Sequence, residues 1–219
     1  MTLRFSALDL NGCEVRIPSA IDEQIMNRFI ADNGRPDDTW SVIAFIRVFP
    51  NGALSVDPIG RELTEEEAAA KAVRPKRIPL GYVFVIDYCK SQPWYYKMPG
   101  GKKHDDETVL TTGVREIYGE TGLALSPETH HYQYEGAVWR GRFWNVLVSV
   151  DVEENVLSLL NSEHHENEGE VPKYVSVDEF HRIMADQGFL PSQYHRLYEK
   201  GLIIVPPDTH EGMNGLTRP

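Results

Sequence analysis

The pattern of apolar and polar positions predicts strands and helices that are intermingled along the chain. Continuous or alternating apolar residues predict strands, and apolar residues spaced three and four apart predict helices. The predicted strands are 40–49, 81–88, 94–98, 131–139, 143–152 and 173–175, and the predicted helices begin near 107, 176 and 191. One prominent helix among several strands indicates a mixed α/β or α+β fold.

Turn signals predict further elements and a boundary. Pro50-Asn51-Gly52 predicts a turn followed by a returning strand over 53–56, and residues 62–74 have the composition of a surface helix. Residues 3–17 predict a hairpin with a turn at Asn11-Gly12, followed by a helix. The turn-forming residues 33–38 separate this region from the rest of the chain. We therefore predict an N-terminal extension over 1–39 and a main domain over 40–219.

Residues 101–123 carry the most specific motif of the chain. It begins with Gly101, reaches Glu107 after five residues and, after seven more, continues as Arg115-Glu-Ile-Tyr-Gly-Glu-Thr-Gly-Leu123. This segment resembles the Nudix box, G-x5-E-x7-R-E-U-x-E-E-x-G-U, in which U is apolar. Eight of the nine fixed positions match in register, and Gly119 stands where the pattern has a glutamate. The resemblance implies an α+β fold, an α/β/α sandwich around a mixed sheet.

The box residues suit the chemistry that the resemblance implies. Glu116 and Glu120 lie four residues apart, which places both carboxylates on one face of a helix. Carboxylates hold Mg²⁺ or Mn²⁺, and a divalent ion offsets the negative charge that makes a phosphate anhydride resist attack by water. An apolar stripe would dock this helix on the sheet; it consists of Val109, Leu110, Val114 and Ile117.

The resemblance also implies roles for single residues. Glu116 and Glu120 would be metal ligands and catalytic groups of a hydrolase that cleaves nucleoside diphosphate derivatives. Glu107 and Arg115 would form a structural ion pair, and Gly101 and Gly122 would be structural as well. From the residues themselves, Asp105 or Asp106 could cap the start of the helix, and Gly122 could end it in a left-handed conformation.

An acidic segment over 163–170 could complete the site, because Nudix proteins often supply a further carboxylate from a loop in this region. Glu166, Glu168 and Glu170 alternate and would share one face of an extended backbone. We predict Glu168 as a catalytic base and Glu166 as an additional metal ligand; the alternative is an ordinary solvated loop. Gly119 leaves open a second interpretation, a weakened Nudix-fold module that binds a nucleotide or metabolite. A non-hydrolytic enzyme such as an isomerase is a third.

Aromatic residues are candidates for contact with a base. Tyr96 and Trp139 could stack on a purine, although packing within the sheet is the better explanation for either residue. The sequence does not identify the Nudix subgroup, so the predicted partner is a small nucleotide-type substrate without further detail.

Composition bears on the cellular location and the binding partners of the protein. The net charge of −11 disfavours binding along a nucleic-acid backbone. No apolar run approaches the roughly 18 residues that cross a bilayer, and two cysteines among 219 residues suit a reducing cytoplasm. We therefore predict a cytoplasmic protein without a membrane partner. The N-terminal extension could either complete a homodimer or cover the sheet within one chain.

Overall fold

A computed structural model describes most of the predicted main domain. The described residues are 39–54, 78–88, 94–104, 107–130, 132–139, 143–160, 170–186 and 188–203. The predicted N-terminal hairpin and helix, the predicted helix over 62–74 and the acidic segment 163–169 lie outside these residues. The boundary between an extension and a main domain therefore stays a prediction.

The described residues form a seven-stranded mixed sheet. Its strands are β1 (Thr39–Phe49), β2 (Gly81–Asp87), β3 (Tyr96–Lys97), β4 (Gly100–Lys102), β5 (Tyr132–Trp139), β6 (Phe143–Glu153) and β7 (Glu170–Ser176). The order is β3-β2-β1-β6-β5, with β4 paired to β1 and β7 paired to β2. β1 and β6 run parallel over eleven consecutive residue pairs, and all other pairs are antiparallel. The strands predicted from the apolar pattern are thus present.

Helices cover both faces of this sheet. They are α1 (Val109–Thr121), α2 (Val177–Ala185) and α3 (Pro191–Glu199), and a 3-10 helix spans Glu154–Leu159. Side chains of β1 alternate between the faces: Val42 and Ala44 pack with α1, whereas Ile43 and Phe45 pack with α2 and α3. The predicted α+β class and the α/β/α layering are confirmed. None of the described helices is long and apolar enough to span a membrane.

The turn after β1 is present, but the chain does not return as predicted. The amide of Ala53 donates to the carbonyl of Pro50 at 3.0 Å, which closes the turn. Ala53 and Leu54 are not in a strand, so the predicted returning strand is wrong at these positions; 55–56 lie outside the described residues. Instead, the amides of Gly52 and Leu54 donate to the carboxylate of Glu153 at 2.9 and 3.3 Å. Strands β2, β4 and β6 occupy both edges of β1, so no edge is free for a hairpin partner.

The segment Pro99-Gly100-Gly101 runs antiparallel beside β1 at very close range. The amide of Ala44 donates to the carbonyl of Pro99 at 2.8 Å, and Gly100 of β4 pairs with Ile43 of β1. A Cβ atom at position 100 would collide with the backbone of Val42 and Ile43. Glycine is therefore required at this position, and the close approach places the backbone of 100–101 beside α1.

Candidate active site

Helix α1 has well-defined ends. At its start, the amide of Thr111 donates to Oγ1 of Thr108 at 3.1 Å, and the amide of Thr108 donates to Oγ1 of Thr111 at 2.8 Å. Thr108 is thus the N-cap in a reciprocal capping arrangement, and the predicted cap at Asp105 or Asp106 is wrong. At the other end, Gly122 adopts a left-handed conformation with φ of 75°, and its amide donates to the carbonyl of Tyr118.

Arg115 fixes the loop that precedes α1. Its guanidinium donates to both carboxylate oxygens of Glu107, at 2.6 and 3.0 Å, and to the carbonyl of Lys102 at 2.9 Å. The amide of His104 also donates to Glu107, at 2.8 Å. The ion pair implied by the resemblance is therefore present, and its bidentate form gives the loop a defined path.

The Glu107–Arg115 pair predicts a pH dependence of stability. The hydrogen bond from Arg115 lowers the pKa of Glu107 to about 2. Because the pKa is lower in the folded than in the unfolded chain, the pair stabilises the fold above the ordinary pKa of glutamate, and this stabilisation is lost as the pH falls towards 2. We expect wild-type protein to have a higher melting temperature than Glu107→Gln at pH ~7, with the difference shrinking as the pH falls below the ordinary glutamate pKa. Thermal unfolding measured across this pH range checks it. Glu128→Gln, at an exposed position, is the matched control, and a difference that does not change with pH would contradict the prediction.

Glu116 lies against the backbone of Gly101. The Glu116 side chain is buried, and its Oε1 accepts a hydrogen bond from Nη1 of Arg115 at 2.7 Å. A Cβ atom at position 101 would collide with the Glu116 carboxylate. Glycine at position 101 therefore makes room for the Glu116 carboxylate.

Glu120 lies one helical turn further along and belongs to a second charged group. Its Oε2 accepts a hydrogen bond from the amide of Gly100 at 3.1 Å, and its Oε1 lies 3.4 Å from Nζ of Lys97. Lys97 Nζ also donates to Oε1 of Glu170 at 2.6 Å. Glu120 and Glu170 are only 3% and 4% exposed, so one ammonium group is shared by two buried carboxylates. Glu170 Oε2 is buried and has no hydrogen-bond partner among the described residues.

Burial and mutual charge shift the pKa values of this group. Burial raises the pKa of Glu120, nearby Glu170 and Glu116 raise it further, and Lys97 and the Gly100 amide oppose the rise. Burial alone would lower the pKa of Lys97, but the Glu120 and Glu170 carboxylates raise it above its ordinary value. Lys97 is therefore held in the ammonium form, whereas the ionised form of Glu120 is destabilised even with Lys97 beside it.

The structure brings together some of the predicted site residues and adds others. Glu116 and Glu120 lie beside the 100–101 segment, as the box spacing indicates. Lys97 joins Glu170 to Glu120, whereas Glu166 and Glu168 lie outside the described residues and stay predictions. The sequence analysis missed Lys97. Its only signal is the alternation of side chains along a strand, which places Lys97 on the opposite face of β3 from Tyr96.

The two aromatic candidates differ in what the structure describes. Tyr96 packs with the core on the α2 and α3 side of the sheet, away from Lys97. Trp139 ends β5 in register with Trp144, and its side chain lies outside the described residues. Their predicted contacts with substrate stay predictions.

The carboxylates have the chemistry of a divalent-cation site. Glu116, Glu120 and Glu170 supply oxygen donors of the kind that Mg²⁺ and Mn²⁺ prefer, and the buried Oε2 of Glu170 has coordination capacity to spare. As they stand, no three acidic, histidine or cysteine side chains of the described segments converge closely enough to hold an ion. The donor set fits a metal, while Arg115 and Lys97 at present engage its members.

A cavity opens on the opposite face of the sheet from α1. Its volume is about 360 Å³, within the range of small-molecule sites. It is lined by Ile43, Phe143, Asn145, Leu190, Ser192, Gln193 and Arg196. Gln193 accepts a hydrogen bond from the amide of Met98 at 2.6 Å, and Ile43 pairs with Gly100. The cavity therefore adjoins the 98–100 segment from the other side.

Comparison with known proteins gives structural matches alone. No protein-family model matches the chain, and neither does any curated protein sequence. Among solved structures, MutT, studied from Aliivibrio salmonicida and Vibrio cholerae, matches with 14% identity and a TM-score of 0.37, covering 69% of this chain and 85% of that one. A NUDIX-family hydrolase from Clostridium perfringens matches with 9% identity and a TM-score of 0.46, covering 74% and 95%. A NUDIX hydrolase from Nitrosomonas europaea matches with 14% identity and a TM-score of 0.42, covering 78% and 94%. At such identities the likeness to these Nudix proteins concerns the fold alone.

Proposed function

We propose that this protein is a divalent-metal-dependent hydrolase of a phosphoanhydride bond in a nucleoside diphosphate derivative. The observation that carries the proposal is the placement of Glu116 against Gly101 and of Glu120 against Gly100, beside a loop held by the Glu107–Arg115 pair. Lys97 joins Glu170 to Glu120 and so adds a third carboxylate to this side of the sheet. Within a Nudix box, this arrangement supplies carboxylates that would hold a divalent ion, and the charge of that ion would offset the charge of an anionic substrate.

Each residue of the site has a defined part in this proposal. Glu116, Glu120 and Glu170 would hold Mg²⁺ or Mn²⁺, which when bound neutralises charge on the diphosphate and acidifies a water molecule. Arg115 keeps the loop and the Glu116 carboxylate in place. The glycines at 100 and 101 let the substrate approach the backbone closely.

Hydrolysis requires one proton transfer. The water oxygen forms a bond to one phosphorus, the bridging P–O bond breaks, and the bridging oxygen leaves with the second phosphate. The proton of the water passes to a carboxylate of the site. Glu120 is one candidate for this carboxylate, because it lies beside the 100–101 backbone that the substrate would approach. Glu168, the base predicted from the sequence, lies two residues before Glu170 and is the alternative.

Product release across a substrate panel tests the proposal. The panel contains ADP-ribose, NAD⁺ and NADH, dinucleoside polyphosphates, nucleotide sugars and nucleoside triphosphates, each with Mg²⁺, Mn²⁺ or EDTA. Metal-dependent turnover of one class, lost in Glu120→Gln, supports the hydrolase and identifies its substrate. Absence of turnover above that of the variant, in protein that still binds a nucleotide, favours the alternative of a binding module.

Gly119 motivates that alternative function. It is buried within α1, at the position where the Nudix pattern has a glutamate, so the box supplies one carboxylate fewer. A Nudix-fold module that binds a nucleotide or metabolite without appreciable turnover would retain the fold and the cavity. Glu170 favours the hydrolase, because strand β7 adds its carboxylate to the two that helix α1 supplies.

The cavity beside α3 is our candidate for the nucleoside end of the substrate. Ser192 lies at its rim and is exposed, so Ser192→Trp would fill the cavity without disturbing the core. We expect KM for the identified substrate to rise about tenfold and kcat to change less than about twofold, because binding is lost equally before and during reaction. Steady-state kinetics measure both constants. His195→Trp, exposed on the same helix and not part of the lining, is the control; equal KM values in the two variants would contradict this assignment.

A further inference from the structure

The ammonium group of Lys97 lies where a metal ion would be expected to bind. Its side chain is 17% exposed and contacts the carboxylates of Glu120 and Glu170, which come from a helix and a different strand. A single cation joins this pair of carboxylates, as Arg115 joins Glu107 and Glu116. Lys97 therefore contacts the same oxygens that the proposed function assigns to a divalent ion.

Charge explains why the Lys97 ammonium group and a divalent ion could not both occupy the position between Glu120 and Glu170. Two ionised carboxylates buried side by side repel each other, and a buried carboxylate is strongly destabilised unless a cation is paired with it. Lys97 provides one positive charge for these two negative ones, and Asp87 adds a further negative charge nearby. The remaining oxygen of Glu170 has no hydrogen-bond partner among the described residues. A divalent ion would balance both charges, but the ammonium group and the ion would repel each other at contact distance.

We propose that Lys97 competes with the divalent cation for the carboxylates of Glu120 and Glu170. In metal-free protein, Lys97 holds the two side chains together. When the ion binds, the ammonium group leaves the carboxylates, and its flexible four-carbon chain allows it to do so without movement of the backbone. This proposal rests on the proposed function for the presence of a divalent ion, and it makes Lys97 a determinant of metal affinity.

Direct measurement of Mn²⁺ binding tests the competition without any substrate. Titration followed by electron paramagnetic resonance gives the Kd for wild-type protein, Lys97→Met and Lys97→Arg. We expect Lys97→Met to bind Mn²⁺ about tenfold more tightly or more, because a repelling charge is removed from the site. Lys97→Arg keeps the charge and should remain within about threefold of wild type. Lys173→Met removes an exposed lysine near Glu170 on the same strand, and its Kd should not change.

Amine labelling gives a second measurement that does not depend on a variant. An acylating reagent followed by mass spectrometry reports the accessibility of each lysine. Because an ion-paired, buried ammonium group reacts slowly, we expect saturating Mg²⁺ to increase the labelling of Lys97 about threefold or more relative to EDTA. Lys173, exposed under both conditions, is the internal reference.

The possible results separate this proposal from the proposed function. Tighter Mn²⁺ binding by Lys97→Met, together with faster labelling of Lys97 in Mg²⁺, supports the competition whether or not any substrate is hydrolysed. Unchanged or weaker binding by folded Lys97→Met would overturn it, as would labelling of Lys97 that does not respond to metal. Metal-dependent turnover could still be present in that case, and the proposed function would stand without the competition. If Lys97→Met fails to fold, the labelling of wild-type Lys97 decides.

Discussion

Glu170→Gln is expected to lower metal-dependent turnover by about 100-fold or more, the loss typical when a group that supports a bound metal is removed. Glutamine keeps the shape of the side chain but removes the negative charge and one metal-binding oxygen. Glu170 is buried, is held by Lys97 at 2.6 Å and carries an oxygen without a partner among the described residues. Steady-state rates with the substrate identified by the panel measure the loss.

The neighbouring glutamates provide the comparison for this prediction. Glu166→Gln and Glu168→Gln change the same acidic segment by the same chemistry, so differences among the three variants do not arise from net charge alone. A loss confined to Glu168→Gln, with Glu170→Gln as active as wild type, would contradict the assignment of Glu170 and support the sequence-based one. Melting temperatures of all three variants separate loss of activity from loss of fold.

Gly101→Ala is expected to reduce turnover by about 100-fold while leaving the fold intact. A Cβ atom at 101 would occupy the space of the Glu116 carboxylate. The end of a glutamate side chain is flexible, so it can rotate away at a modest cost in stability, but it then no longer faces the site. Turnover and Mn²⁺ affinity should therefore both fall, whereas the melting temperature should change by only a few degrees, roughly the effect of 1 kcal/mol or less.

Gly113→Ala is the matched control within the same motif. A Cβ atom there would lie 3.5 Å from Cγ1 of Val42 and 3.7 Å from Cγ2 of Val148, which is ordinary contact. Alanine is favoured over glycine in a helix by about 1 kcal/mol, so this variant should unfold at a higher temperature and keep its turnover. If Gly101→Ala were as active as Gly113→Ala, the close packing of Gly101 against Glu116 would have no part in the reaction.

Local patterns predicted the elements that depend on local physics. The apolar run over 42–46 predicted a strand because a strand with helices on both faces is apolar throughout. The spacing of Glu116 and Glu120 predicted a shared helical face, and Gly122 predicted the end of that helix. The cap was wrong by a few residues because Asp, Ser and Thr are similar caps, and the sequence does not show which one the loop delivers to the first turn.

The site residues that the sequence did not identify depend on contacts between distant parts of the chain. Lys97 meets Glu170 because β3 and β7 both pair with β2, and no pattern within either segment encodes that pairing. The acidic segment offered three alternating glutamates with equal chemistry. Glu170 differs from the other two because β7 begins at this residue, and its pairing with Asp87 places it beside β2.

The parallel pairing of β1 with β6 sets the order in which the chain can fold. These strands form the middle of the sheet, yet about a hundred residues separate each position from its partner, as in Thr39 with Phe143. Contacts of such long range form slowly, because closing the intervening loop costs entropy before any pairing is gained. During synthesis, β1 leaves the ribosome long before β6. Until β6 is made, the apolar side chains on both faces of β1 lack the neighbouring strand that they pack beside in the folded protein. The centre of this protein is therefore among the last parts that can be completed, and the interval before β6 emerges is when the nascent chain is most prone to aggregation.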